Sequence, residues 1–142
     1  MSSPTTRSGG YVPPGFFMRK VANPLVRALG GPVLIVRGRI SGLPISTPVA
    51  PFDYAGDRYL IARRGETQWV RNLRIAGRCE LRLRWRHLAF HATELRGDEH
   101  QLVAAAYLKR LGRRADVFLA ELPNPADHPI FRLDPIGPPT HG

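Results

Sequence analysis

Apolar and polar positions along this chain follow two periods, and the switches between them mark its elements. Val33 to Arg37 is a β-branched apolar run that reads as a strand. Gly30-Gly31-Pro32 breaks the chain before it, and Ser41-Gly42-Leu43-Pro44 turns it into a second strand, Ile45 to Asp53. Pro48 has no N–H for a ladder, so that strand belongs at an edge, at a bulge, or with a face turned toward ligand. Ala55-Gly56-Asp57 reads as a hairpin turn into a third strand, Arg58 to Ala62, and three strands on short turns predict a meander. Thr67 to Ala76 then repeats at helical spacing. Trp69, Val70, Leu73 and Ala76 share a side, and Arg71, Arg74 and Arg78 take others. Thr67 suits the N-cap and Gly77 the C-cap.

Strict alternation returns at Cys79 to Trp85. Cys79, Leu81, Leu83 and Trp85 are expected on the core face, with Glu80, Arg82, Arg84 and Arg86 in water. Leu88 to Leu95 pairs with it as a hairpin. Asp98 to Leu111 is a second helix, with Asp98 and Gln101 resembling a capping box and Ala104, Tyr107, Leu108 and Leu111 as its apolar stripe. Val117 to Leu122 is a short helix or a strand, Pro123-Asn124-Pro125 a loop, and Ile130 to Leu133 a last strand. Phe16 to Leu29 is a short amphipathic helix with Pro24 inside it. It either caps the open end of a barrel or, through Arg19, Lys20 and Arg27, touches a membrane peripherally. The expected organisation is a disordered leader (1–15), one domain (16–134) and a loose tail (135–142). Its class is α+β, mainly β: a small barrel of six or so strands with an inserted helix and a second covering helix.

Composition narrows the setting. A chain of 142 residues can bury a core without staples. Cys79 is the single cysteine, so no internal disulfide forms, and a reducing, cytoplasmic setting is expected, with the inner membrane face as the peripheral alternative. Neither a secretory signal nor a membrane-spanning run is visible. The net charge of +10 is almost all arginine, since Lys20 and Lys109 are the two lysines. Charge alone fits nucleic acid, an anionic membrane or a small polyanion. Arg82, Arg84 and Arg86 lack the interleaved exposed aromatics of a stacking platform, so nucleic acid is not expected.

The arginines that sit in loops are more informative. Gly38-Arg39-Ile40-Ser41-Gly42 and Arg63-Arg64-Gly65 each follow a strand and combine small residues with arginine. Small residues let backbone N–H groups approach an anion, and arginine adds a planar donor fork. The helix from Thr67 aims its positive end at the second loop. His87 and His91 have no ligand cluster at metal spacing, and no Ser/His/Asp set is recognisable, so no metal is expected. Tyr107 is either core with its hydroxyl at a rim or a proton donor to a substrate.

Gly38 to Gly42, Thr47-Pro48-Val49, Ala62-Arg63-Arg64-Gly65 and Gln68-Trp69-Val70-Arg71-Asn72-Leu73 resemble, in order, the deazaflavin-dependent nitroreductase family of split β-barrel proteins found mainly in actinobacteria. His128 to Leu133 is similar to the closing strand of one branch. The resemblance implies a split barrel that binds coenzyme F420, an 8-hydroxy-5-deazaflavin with a phosphate and an oligoglutamate tail. It implies hydride transfer from the reduced ring to a small electron-poor acceptor such as a quinone or nitroaromatic. The cofactor-binding residues it implies are Arg39, Ser41, Gly42, Thr47, Pro48, Val49, Arg63, Arg64, Gly65, Gln68, Trp69 and Asn72, with Trp69 near the ring. Trp69 and, as read from its place on the helix, Tyr107 are the expected substrate-pocket residues. Ile40 and Ile45 stand where better-known members carry basic residues. Flavin mononucleotide (FMN) on the same barrel, or a non-catalytic carrier of an apolar ligand or coenzyme, are the alternatives. Oligomeric state is left open.

Overall fold

A computed structural model describes residues 31–137. Its strands are β1 (Val33–Arg37), β2 (Pro44–Pro48), β3 (Phe52–Tyr54), β4 (Asp57–Ile61), β5 (Arg78–Leu83), β6 (Arg86–Glu94) and β7 (Ile130–Pro135). Its α-helices are α1 (Gln68–Ala76), α2 (Gly97–Leu111) and the single turn α3 (Ala115–Phe118). The expected leader (1–15) and amphipathic helix (16–29) lie outside the described residues, and so does most of the tail.

All seven strands join one antiparallel sheet in the order β2-β1-β5-β6-β7-β4-β3. β2 and β3 are therefore opposite edges, yet only Val49-Ala50-Pro51 separates them in the chain. Extended backbone reaches at most about 3.6 Å per residue, so Pro48 and Phe52 lie within roughly 14 Å. Seven flat strands at about 4.8 Å spacing would put the edges near 29 Å apart. The sheet must curl until its edges approach, and they do so without pairing. The result is a half-barrel with a split between β2 and β3.

Each face of the curled sheet carries its own core. Leu34, Val36, Leu60, Leu81, Phe90, Phe131 and Leu133 bury Val70 and Leu73 of α1. Tyr59, Phe52, Leu95 and Ile130 meet Val103 and Ala104 of α2 on the other side. Neighbours Tyr59 and Leu60 face opposite cores, as strand alternation requires. Full burial of Val70 or Leu73 stabilises the fold by about 1.5–3 kcal/mol each. Gly77 closes α1 in the left-handed region at φ 72°, with its N–H donating to the Leu73 carbonyl.

Several expectations are corrected. The run from Ile45 to Asp53 is two strands on opposite edges, so no three-strand meander forms. Pro48 and Pro51 withhold ladder donors where the chain must change edges. Pro48, as expected, sits on an edge. Thr67 occupies the N-cap position of α1, but its hydroxyl makes no cap bond and is buried without a partner. Asp98 forms no capping box either; Arg96 precedes α2 and no side chain caps it. Trp85 is not on the core face. β5 ends at Leu83, Arg84 turns with a φ of 57°, and Trp85 is 89% exposed in the β5–β6 turn. The expected covering stripe of α2 is shifted to His100, Val103 and Ala104, because the Tyr107–Leu111 end overhangs a cleft. β7 runs to Pro135, and the Ile136 N–H donates to Ala89, so the sheet extends past the expected boundary. Among the described residues no helix is long and apolar enough to cross a membrane.

Candidate functional site

The split in the barrel opens into a cleft of about 440 Å³. Pro48, Val49 and Ala50 form one wall, Leu60 and Ile61 the floor, and Trp69 projects from the first turn of α1. Leu111, Val117 and Phe118 close the far side, and Arg63 and Arg114 supply its charge. Val49 is fixed there because its N–H donates to Pro32 at 3.2 Å. Trp69 leans on buried Phe131, with ring centroids 6.1 Å apart. The ring of Tyr107 meets Phe52 and Phe118 edge-on, each at 5.1 Å. Burial pushes the Tyr107 pKa up, while Arg114 and Arg63 pull it back in part. Its hydroxyl therefore stays protonated at neutral pH, and the residue lines the cleft.

A buried histidine holds the far wall. His128 Nδ1 lies 2.7 Å from the Ala62 carbonyl oxygen and Nε2 lies 2.8 Å from that of Leu122. Phe118 stacks on its ring at 4.5 Å, and His100 Nε2 sits 2.7 Å from the His128 carbonyl oxygen. One side chain thus ties α3 and the Leu122 loop to the end of β4, where the Arg63-Arg64-Gly65 turn begins.

The two arginine loops are built differently. In the β1–β2 loop, the N–H of Gly38 donates to Leu43, that of Gly42 to Gly38, and that of Leu43 to the Ser41 hydroxyl. A Cβ on Gly38 would meet Ile45 and Ser41 side-chain atoms at 2.8 Å and the Leu43 carbonyl oxygen at 3.3 Å, so a larger residue there would have to displace those side chains. The Arg39 N–H donates to Asn72 Oδ1 at 3.0 Å, and Arg39 Nη1 donates to Asn72 Oδ1 at 2.8 Å and Gln68 Oε1 at 2.9 Å. Gln68 and Asn72 are one helical turn apart, so α1 clamps the arginine from one face. Most backbone donors of this loop are thus used inside the protein, while Arg39 commits only Nη1 of its guanidinium. Ile40 and Ile45 add exposed apolar surface, Ile40 at 87%.

The second loop turns at Gly65, with a φ of 79° that favours glycine, and divides its two arginines. Arg63 faces the cleft, whereas Arg64 and Gly65 line a separate hollow with Arg96, His100 and Leu122. Arg74 braces this loop: it donates to Glu66 at 2.8 Å and 3.1 Å and to Glu94 at 2.7 Å and 2.8 Å. Those hydrogen bonds hold the Glu66 pKa below its ordinary value.

Of the residues singled out from sequence, Pro48, Val49, Arg63, Trp69 and Tyr107 meet in the cleft. Arg39, Gln68 and Asn72 form the adjoining clamp. Ser41 and Gly42 are exposed on the loop, Thr47 pairs with Leu34 in the β1–β2 ladder, and neither Arg64 nor Gly65 reaches the cleft.

Residues 15–112 match the family model described as F420H(2)-dependent quinone reductase. The chain belongs to that family. No curated protein matches it. Among solved structures it is similar to Atu2129, of unknown function, from Agrobacterium tumefaciens (TM-score 0.60, 23% identity), covering 75% of this chain and 48% of that one. The chain thus spans about half the length of that relative. It is also similar to the F420-H2 dependent reductase FDR-A (TM-score 0.56, 16% identity, 72% of this chain and 92% of that one). HutZ, the heme storage protein from Vibrio cholerae, matches as well (TM-score 0.56, 16% identity, 83% and 92%). At these identities the structural likeness is one of fold, the split barrel.

The family match ends at residue 112, and Arg114, Val117 and Phe118 fall just beyond it. Sequence reasoning missed them for a related reason. Arg114 reads as one of the arginines that suit the C-terminal end of a helix, and Val117-Phe118 as part of an apolar short helix or strand. His128 gives no signal of its own, because its partners are backbone carbonyls.

Proposed function

We propose that this protein is an F420-dependent oxidoreductase whose coenzyme ring lies in the cleft at the barrel split. The observation that carries the reading is a single cleft joining an apolar slot to two arginines. Its volume of about 440 Å³ falls in the range of small-molecule sites. A flat deazaflavin with an anionic tail needs both features, so the donor set fits the group. When bound, the reduced coenzyme supplies a hydride to an electron-poor acceptor such as a quinone or nitroaromatic.

The chain's own residues would bind, orient and keep out water. Pro48, Val49 and Trp69 offer apolar surface to a ring, and Arg63 and Arg114 offer fixed charge to its anionic part. The Tyr107 hydroxyl would donate a hydrogen bond to an acceptor oxygen. Arg39, held by Gln68 and Asn72, keeps its remaining donors for a phosphate at the loop.

FMN is the second reading. Arg39 already spends donors on α1, and Ile40 and Ile45 offer nothing to a polyglutamate tail. A coenzyme without that tail loses nothing by it. Fluorescence titration of oxidised F420, with long and short tails, against FMN tests both. Tighter binding of F420, weakened by salt and roughly tenfold or more by Arg63→Ala or Arg114→Ala, is expected. Tighter binding of FMN would favour the second reading, and binding of neither would defeat both.

A further inference from the structure

The β5–β6 hairpin turns at Arg84 and Trp85. β1 pairs with β5 only as far as Arg82, and β7 pairs with β6 only from Phe90. Past those pairings Leu83 and Leu88 still pack against the core, and Arg84, Trp85 and Arg86 form the exposed turn between them. At the tip, Arg84 holds a φ of 57°, which costs a non-glycine residue roughly 1 kcal/mol. Trp85 beside it is 89% exposed. Among the described residues Trp85 stacks on no ring, and Arg82, Arg84 and Arg86 form no ion pair. Arg58, Arg74, Arg96 and Arg132 each hold a carboxylate. An exposed indole between unpaired arginines, on a strained turn, has no counterpart elsewhere in the described chain.

We propose that this tip docks the protein on an anionic lipid bilayer, with Trp85 entering the headgroup layer and Arg82, Arg84 and Arg86 meeting lipid phosphates. Indole is apolar in body with one polar N–H, which suits the membrane–water boundary. Arginines near an anionic surface add attraction that falls off within a Debye length. The turn carries one tryptophan and no row of stacking rings. Single-stranded nucleic acid is bound instead in a groove with several stacking rings. The charge matches in sign, since the chain carries +10 overall. This inference does not rest on the coenzyme reading.

The test is flotation of the full chain with vesicles of phosphatidylcholine alone or mixed equally with phosphatidylglycerol, at low and high salt. Binding is expected only to the mixed vesicles and should be lost at high salt. Trp85→Ala, and Arg84→Gly combined with Arg86→Gln, should each lower partitioning about fivefold or more. Glycine suits the positive φ at position 84, and these sites are exposed, so the melting temperature should hold. Tryptophan emission should shift to the blue on vesicle addition in the parent protein but not in Trp85→Ala, which keeps Trp69. Absence of flotation would overturn the proposal. So would tip variants that float like the parent, which would assign binding to another surface. A Trp85-dependent gel shift of an oligonucleotide without vesicle binding would overturn it in favour of nucleic acid.

Discussion

Replacing Asn72 separates what holds the arginine loop from what the loop holds. Asn72 is buried to 3% exposure, and its Oδ1 accepts both the Arg39 backbone N–H and the Arg39 guanidinium. Asn72→Ala removes both bonds. A backbone bond of this kind contributes about 1 kcal/mol net, and the charge-assisted one up to about 3. Water reaches the half-exposed arginine, so the second is discounted to about 1 kcal/mol. The expected loss is near 2 kcal/mol, or roughly 8 °C in melting temperature for a domain of this size. Asn72→Asp keeps the acceptor and pairs it with Arg39, so stability should survive while the charge offered to an anion is cancelled. Thermal melts followed by far-UV circular dichroism read the first effect, and fluorescence titration with F420 reads the second. Alanine should lower both stability and affinity, whereas aspartate should lower affinity alone. A melting temperature unchanged within 2 °C in Asn72→Ala would refute the clamp. Undiminished F420 affinity in a folded Asn72→Asp would refute an anion at Arg39.

Three further outcomes are expected. Trp69→Phe should keep most turnover, whereas Trp69→Ala, if still folded and coenzyme-loaded, should raise the Michaelis constant for bulky acceptors more than it lowers kcat. His128→Leu removes both carbonyl contacts and the polar partner of Phe118. It should cost about 2–4 kcal/mol and speed proteolysis between Leu119 and Pro123, and unchanged cleavage would count against the staple. Burial pushes the Cys79 thiol up to about 12, so the folded state keeps a proton that the unfolded chain releases near 9. Stability should therefore fall by up to about 1.4 kcal/mol per pH unit as pH rises above 9, and Cys79→Ala should flatten that slope between pH 9 and 10.

Legibility in the sequence followed the range of the forces involved. β1, α1 with its Gly77 cap, and the β3–β4 turn are local patterns, and all were readable from residues close in sequence. The exchange of edges between β2 and β3 was not, because it depends on how far the whole sheet curls. Periodicity also cannot say where an alternating strand stops. It placed Trp85 on the core face, although the turn begins one residue earlier, at Arg84. Within the site, the resemblance to the deazaflavin family pointed at Pro48, Val49, Arg63 and Trp69, and the cleft contains all four. It also grouped Arg63 with Arg64, which the Gly65 turn sends to different hollows. Arg114 and Phe118 come from a segment that packs against the site only through tertiary contacts.

The order of the strands has a consequence for how the chain acquires its cleft. Among the described residues, all that line it lie before position 119, yet its floor, Leu60 and Ile61, is held in place by pairing with Phe131 and Ile130 of the last strand. Contacts between such distant parts of a chain form slowly, because a long loop must close first. A chain emerging from the ribosome would thus carry all the lining residues before it had a site to line. Loss of β7 as a whole, from Ile130 onward, should then abolish ligand binding without removing a single residue that lines the cleft.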